Sequence, residues 1–364
     1  MRIVLAPDSF KGTATAAEAA RALADGWRSV RPGDELLPLP MADGGEGTLA
    51  AVATAHPGAT VHEVPGCTGP DGRPVPGRYL LLPDGTALVE LATASGLPLL
   101  EGRLAPLAAT TRGTGEAIAA ALDAGATALT VALGGSASTD GGAGLLSALG
   151  LRVLGHAGTL LPDGGGALAT ARQIDTRRLR PAPPGGVRLL TDVTNPLHGP
   201  DGAAAVYGPQ KGAGPSEIAL LEHGLRRYAE LLGGDPEQPG AGAAGGTAYG
   251  LAAAWGARTT PGAAAVADLL GLDAALAGAD LVVTGEGRFD STSLLGKAVG
   301  EVMDRARRAA VPVRVVAGDS TDRRALTLLS LAGDSDDAQR RATHWLKVAG
   351  TRLARSAGAG ALKH

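Results

Sequence analysis

The chain has 364 residues, 45% apolar and 19% charged, a length that predicts two domains or one large one and a composition that leaves little scope for long disorder. Its 33 basic and 36 acidic side chains leave a net charge of −3 with no Lys/Arg-rich block, which argues against a general nucleic-acid binder. In chain order, residues 3–6 read as a short buried strand ended by Pro7. Thr15-x-x-Glu18 is a capping box opening a helix with Ala19, Leu23, Trp27 and Val30 on one face, and Pro32-Gly33 stops it. A second short strand follows at 35–39, then a Gly/acid loop over 41–48 feeds a helix around 49–54. Strands at 60–64, 78–82 and 87–91, separated by Pro/Gly/Asp turns, form a β-rich excursion. A helix at 115–124, a strand at 128–133 and a helix near Leu145 come next, followed by a turn-rich, peripheral stretch over 155–186. A strand at 187–191, an amphipathic helix at 216–232 and a Gly/Ala loop at 240–250 lead to strands at 279–284 and 311–317 with a helix at 299–309 between them.

Strands alternating with helices at both chain ends imply a parallel α/β sheet. The expected architecture is one doubly wound domain built from 1–60, 106–150 and 277–364, and a second α/β domain from 61–105 and 151–276. Ligands of such sheets bind at the carboxyl ends of the strands. The single Cys67 excludes an intrachain disulfide framework and fits a reducing compartment, and the seven His lack paired zinc spacing. The apolar stretch at the start is too short for a signal peptide, and no run of about 18 uncharged apolar residues occurs. A cytoplasmic protein with no membrane or nucleic-acid partner is expected.

Aromatics are only 2%, whereas Gly, at 56 residues, is about twice as common as usual. The glycines cluster with Asp, Glu, Ser and Lys, an arrangement that brings backbone amides close to a ligand. Of five Lys, three (Lys11, Lys211 and Lys297) lie in such clusters, in a chain that otherwise prefers Arg. Asp8, Ser9 and Lys11 follow the first strand, where they could engage a metal or phosphate or form an ordinary βα turn. Asp43 and Glu46, spaced by glycines, suit a magnesium or hydroxyl-binding loop, or helix capping. Gly134-Gly135-Ser136-Ala137-Ser138-Thr139-Asp140 leads into a helix without P-loop spacing and suits a phosphate or other anion, or a structural Gly turn. Asp192, at the end of a buried strand, could accept a hydroxyl proton or hold a metal, or cap an Asx-Pro turn. Glu286, Arg288, Asp290 and Lys297 follow one apolar strand; Arg288 can take a carboxylate bidentately, and either acid can serve as base or metal ligand. The G-x-G-x-x-G at 240–245 has no strand before it, so a dinucleotide fold loses its support, and no G-x-S-x-G marks a Ser hydrolase.

Taken together, APDSFKG (6–12), PMADGGEGT (40–48), ATASGL (92–97), GGSASTDGGAG (134–144), DVTNPL (192–197), GPQKGAG (208–214), GAGAAGG (240–246) and TGEGRFD…GK (284–297) resemble the bacterial glycerate kinase family, in order, from residue 3 to about 330. The region 155–186 and the tail after Thr343 match poorly. The resemblance implies ATP-dependent phosphorylation of D-glycerate with Mg²⁺. It also implies two α/β domains, one flavodoxin-like and one restriction-endonuclease-like, with the active site in the cleft between them. Phosphoryl transfer needs positioning, charge neutralisation and a proton acceptor. On that basis Arg288 and Lys11 are expected at the glycerate carboxylate or the transferred phosphoryl, with Asp8, Ser9, Asp43 and Glu46 also binding substrate. Gly134, Gly135, Ser136, Ser138, Thr139, Asp140, Lys211 and Lys297 are expected to bind ATP. Asp192 and Asp290 are expected as metal ligand or base, and Glu286 as a further metal ligand. Where the family usually has Gln-Thr after the Asp-x of its last motif, this chain has Thr292-Ser293, which leaves a different small hydroxy acid open as acceptor. A non-catalytic metabolite-binding protein is the other alternative. Family members from glyoxylate pathways generally make the 2-phosphate. A monomer or homodimer is expected.

Overall fold

A computed structural model describes residues 1–10, 12–294 and 296–357. Its strands are β1 (Arg2–Pro7), β2 (Glu35–Pro38), β3 (Thr60–Thr68), β4 (Pro74–Leu81), β5 (Thr86–Glu90), β6 (Ala128–Ala132) and β7 (Arg152–Leu154). They continue with β8 (Gln173–Asp175), β9 (Val187–Leu190), β10 (Arg258–Thr260), β11 (Leu281–Phe289), β12 (Val313–Ser320) and β13 (Leu326–Thr327). The chain divides into two compact units. One takes Met1–Asp43, Ala50–His56 and the chain from Gly262 onward; the other takes Gly44–Leu49 and Pro57–Pro261.

The first unit carries a parallel sheet in the order β13-β12-β11-β1-β2. Side chains alternate across it, as the period of two requires. Ile3, Leu5, Leu281, Val283 and Val316 pack against helices Ala16–Arg28 and Ala342–Ala357. Val315, Ala317 and Phe289 pack with Val299 of helix Ala298–Arg308 in a separate cluster. The predicted capping box forms: the Thr15 hydroxyl accepts from Glu18 N at 3.2 Å, and the Glu18 carboxylate accepts from Thr15 N at 2.9 Å. Helix Ala342–Ala357 lies so close to helix Ala16–Arg28 that a Cβ on Gly26 would stand 1.9 Å from the Lys347 carbonyl oxygen. From β1 the chain moves to β2 on one side, and from β11 to β12 and β13 on the other. The topological switch point therefore falls between β1 and β11.

Arg305, 6% exposed, ties the helices of this unit together. Its guanidinium reaches Glu301 at 2.7 Å, Asp268 at 2.7 Å and Asp273 at 3.0 Å, and donates to the Ala264 carbonyl at 3.0 Å. Arg305→Met is expected to lower stability by about 2–3 kcal/mol in urea unfolding, since buried charge-assisted bonds are lost while the exposed Asp partners rehydrate. A change below about 0.5 kcal/mol would contradict this.

The second unit holds the sheet β10-β9-β6-β5-β4-β3, with β3, β4 and β5 antiparallel and β5, β6, β9 and β10 parallel. The expected boundaries are corrected here. Residues 106–150 belong to this unit, because β6 lies between β5 and β9, with Val131 opposite Val89 and Leu189. Leu129 and Val131 are buried with Ile118 and Leu145 in the same core. A buried parallel strand is an apolar run in either sheet, so its pattern does not say which sheet it joins. The expected loop at 240–250 is also corrected. It is the start of helix Ala243–Trp255, whose first turn is distorted by left-handed Ala244, Gly245 and Gly246. The turn-rich stretch contains β8, which pairs with β7 as a small antiparallel ribbon. Among the described residues, no helix is long and apolar enough to cross a membrane.

Candidate active site

In the first unit, the segments after β1 and β2 and the carboxyl half of β11 bring Asp8, Asp43 and Glu286 to the switch point. Asp8 N donates to the Gly285 carbonyl at 2.8 Å, and Met41 N donates to the Pro7 carbonyl at 2.8 Å, so the turns after β1 and β2 are tied to their neighbours' backbones. The Asp8 carboxylate accepts from Ser9 N at 2.6 Å. Burial, then the nearby charges of Asp43 and Glu286, raise its pKa from 3.8 to about 7. Glu286 is buried in β11; burial pushes its carboxyl up, while a Ser293 hydrogen bond and the charge of Lys297 pull it down. Its Oε1 has no partner among the described residues. Lys297 stands at the N-cap position of helix Ala298–Arg308, without a side-chain cap bond, where its charge acts on Asp8 and Asp290. It is thus placed beside the acids of the first unit and not in the unit that carries the 134–142 loop.

Asp290 is differently employed. Its Oδ1 accepts from Thr292 N at 2.8 Å and from the Thr292 hydroxyl at 2.6 Å, and its Oδ2 lies 3.6 Å from Arg288 Nε. The Thr292 hydrogen bonds hold its carboxyl below the usual range, which weakens it as a base. Arg288 is 74% exposed and paired with Asp290 only at 3.6 Å, which leaves its guanidinium accessible to an anion. Lys11 lies outside the described residues.

In the second unit, the 134–142 loop leaves β6 and is built from the inside. Gly134 N donates to the Gly44 carbonyl at 3.1 Å, and a Cβ on Gly134 would stand 2.4 Å from Gly45 Cα. The Gly135 carbonyl accepts from Leu97 N at 2.9 Å, and Ala137 N donates to the Ser95 carbonyl at 3.0 Å. Asp140, expected at ATP, is instead spent within the loop. Fully buried, it accepts from Thr111 N at 2.9 Å, the Thr111 hydroxyl at 2.8 Å, and Gly142 N and Gly144 N at 3.2 Å each. Burial raises its carboxyl nonetheless. Lys211, 2% exposed, donates from Nζ to the Ser136 hydroxyl at 2.9 Å and to the Ser138 carbonyl. Burial lowers its pKa to about 8, opposed by the charge of Asp140. The Ser138 and Thr139 hydroxyls are buried without partners among the described residues. The loop thus has a buried ammonium packed against it and two hydroxyls with spare hydrogen-bonding capacity, a combination suited to phosphate oxygens. Asp192 lies on the exposed turn after β9, two residues past the end of the strand that pairs with β6.

Sequence reasoning missed Glu90. Buried at the end of β5, its carboxylate accepts from Gly47 N at 3.1 Å and Leu49 N at 2.9 Å, and so orders the loop that carries Glu46. An acid ending an apolar strand was the available signal.

Comparisons with known proteins follow the same line. The model of the Glycerate kinase family matches residues 3–357, past residue 330 and through the tail that the motifs left unmatched. The chain is similar to the glycerate kinase of Bacillus subtilis (strain 168), at 43% identity over 329 residues, covering 87% of this chain and 85% of that protein. It is similar to the glycerate 2-kinase of Escherichia coli (strain K12), at 42% over 330 residues, covering 88% and 86%. A crystal structure of a protein from Salmonella typhimurium LT2, described as a candidate glycerate kinase 2, aligns over 99% of both chains with a TM-score of 0.83 and 39% identity.

Proposed function

The chain belongs to the glycerate kinase family, and on that premise we propose that it transfers the γ-phosphoryl group of ATP directly, in line, to the 2-hydroxyl of D-glycerate. The observation that carries this reading is the extent of the family match, which takes in both units and both clusters. The name of the Escherichia coli relative supports the 2-hydroxyl. With no covalent intermediate to build, the protein's work is to position two anions, offset their charge and remove one proton.

Asp8 is assigned to that proton. It is recessed at the switch point and held by backbone contacts, whereas Asp290 is engaged by Thr292 and Arg288. Arg288, exposed and paired with Asp290 only at 3.6 Å, is assigned to the glycerate carboxylate or the transferring phosphoryl. Ser136, Ser138, Thr139 and Lys211 are assigned to ATP phosphates. Magnesium fits the donor set, since it keeps several waters and takes one or two carboxylates plus substrate phosphates. Among the described residues no group of three or more acids, His or Cys forms a closed cage, and Glu286 offers an unpartnered buried oxygen. In the first unit Glu286 would hold the ion, which when bound offsets phosphate charge, and Asp192 of the second unit is proposed separately as a metal ligand or base. A cytoplasmic site of action accords with the lone, buried Cys67.

The test is proton-coupled phosphorus NMR of the protein with ATP, Mg²⁺ and D-glycerate. A phosphomonoester doublet is expected, because the 2-phosphate couples to one carbinol proton. A triplet would move transfer to the 3-hydroxyl. Persistent ATP with no ester would remove glycerate as acceptor and direct attention to Thr292.

A further inference from the structure

A cavity of about 310 Å³ opens in the first unit beyond the acid cluster, between the loop after β1, the carboxyl ends of β11 and β12, and the two short helices Leu328–Ala332 and Ser335–Arg340. It is at the small end of the range for small-molecule sites, ~300–1,000 Å³, and far larger than a three-carbon acid fills. Its floor has an unusual origin. On the sheet face that carries Val283 and Val316 lower down, Gly285, Gly287 and Gly318 continue the same alternation, and Gly287 and Gly318 line the cavity. The strands approach so closely that a Cβ on Gly318 would stand 2.4 Å from the Gly287 carbonyl oxygen, and one on Gly285 1.8 Å from that of Val316. The result is a flat strip of bare backbone.

Around that strip, Phe10, Leu328, Leu329 and Ala338 form apolar walls, and Ser335 and Gln339 supply hydrogen-bonding groups on one side. At the mouth, β11 and β12 deliver a matched pair: Arg288 lies opposite Asp319 in the register. Both are exposed, and Asp319 spends only Oδ1, on Ser320 N at 2.8 Å. A flat apolar slot, an amide and a hydroxyl at its side, and a carboxylate and a guanidinium at its mouth are the complement of a planar heterocycle bearing a diol and then an anion. The slot is one strand removed from the switch point, where doubly wound sheets take nucleotides.

We propose that this cavity seats the purine nucleoside of the ATP donor, with the ring on the glycine strip, Asp319 accepting from the ribose hydroxyls and Arg288 facing the phosphates. The proposal rests on the kinase reading and adds a location to it. The test is photolabelling of the full chain with 2-azido-ADP and peptide mapping, together with steady-state kinetics of Ser335→Trp, which fills the slot from an exposed rim position. Label is expected within residues 318–339, abolished by excess ATP. The S335W protein, with an unchanged melting temperature, is expected to show a KM for ATP raised at least about tenfold and a KM for glycerate within about twofold of the parent. ATP-protected label confined to other segments, or an unchanged KM for ATP in S335W, overturns the subsite while leaving the kinase reading intact. Failure of the unaltered protein to use ATP with any hydroxy acid overturns both.

Discussion

Asp8→Asn is expected to lower kcat by about 10²–10⁴-fold, the usual worth of a positioned proton acceptor, and to make the protein more stable at neutral pH. Both effects have one source. Burial and the neighbouring Asp43 and Glu286 raise the Asp8 carboxyl to about 7, so the fold favours its protonated form. As pH rises from about 4, the unfolded chain releases this proton while the folded protein keeps it, and stability falls until the folded group ionises near pH 7. The stability contribution is thus complete below the ordinary value of 3.8 and lost by about 7. Asn cannot ionise and still offers an oxygen to Ser9 N. The variant and parent should therefore be equally stable near pH 4 and diverge by about 1–2 kcal/mol by pH 8, allowing for the partial exposure of the group. Urea unfolding at several pH values, with kcat measured alongside, checks this. Near-wild-type turnover would transfer the proton to another group, with Asp192 the next to examine.

Lys211→Met should damage binding and stability together. The ammonium is buried and holds both the Ser136 hydroxyl and the Ser138 carbonyl. Its loss removes two charge-assisted bonds and a cation that interacts with the buried Asp140, for an expected cost of about 2–4 kcal/mol in urea unfolding. Because the loop is assigned to ATP phosphates, the KM for ATP should rise and kcat/KM fall by about 10²–10³-fold. Lys211→Arg should not restore it, since a planar fork does not fit a closed site shaped around a compact ammonium. The pH dependence has a definite sign. Burial lowers this amine to about 8, so the attracting charge is present below that pH and lost above it. KM for ATP should rise as pH passes 8 in the parent and show no such rise in the Met variant. Equal ATP binding in the two proteins, with stability within about 0.5 kcal/mol, would remove Lys211 from the phosphate site.

Much of this was readable from local pattern. The capping box set the start of the first helix because its two hydrogen bonds span only three residues. Strand-then-cluster order placed Asp8 just past the end of β1 because βα turns are short, but β11 runs on to Phe289, past the expected end at 284, so Glu286 lies within the strand. The 134–142 loop was legible as a ligand loop, but the part played by Asp140 was not. Its carboxylate serves Thr111, which joins it only when helix Arg112–Asp123 docks beside the loop. The sheet to which β6 belongs was equally illegible, because pairing partners are chosen across the chain and leave no mark on the strand itself.

The sequence by itself determined the chemistry available to this protein: a parallel α/β framework, glycine-supported loops, and a short inventory of acids, three lysines and Arg288 within or beside those loops. These follow from composition, periodicity and spacing, which are local. Tertiary structure alone decided which carboxylate is poised near neutrality, which is tied into a turn, and which lysine is buried. A carboxyl's proton affinity depends on burial and on neighbouring charges, and for Asp8 those neighbours, Asp43 and Glu286, come from β2's end and the far part of the chain. The glycine strip shows the same division. Gly287 and Gly318 are ordinary letters in the sequence, and they become the floor of a cavity only because β11 and β12 lie side by side in register.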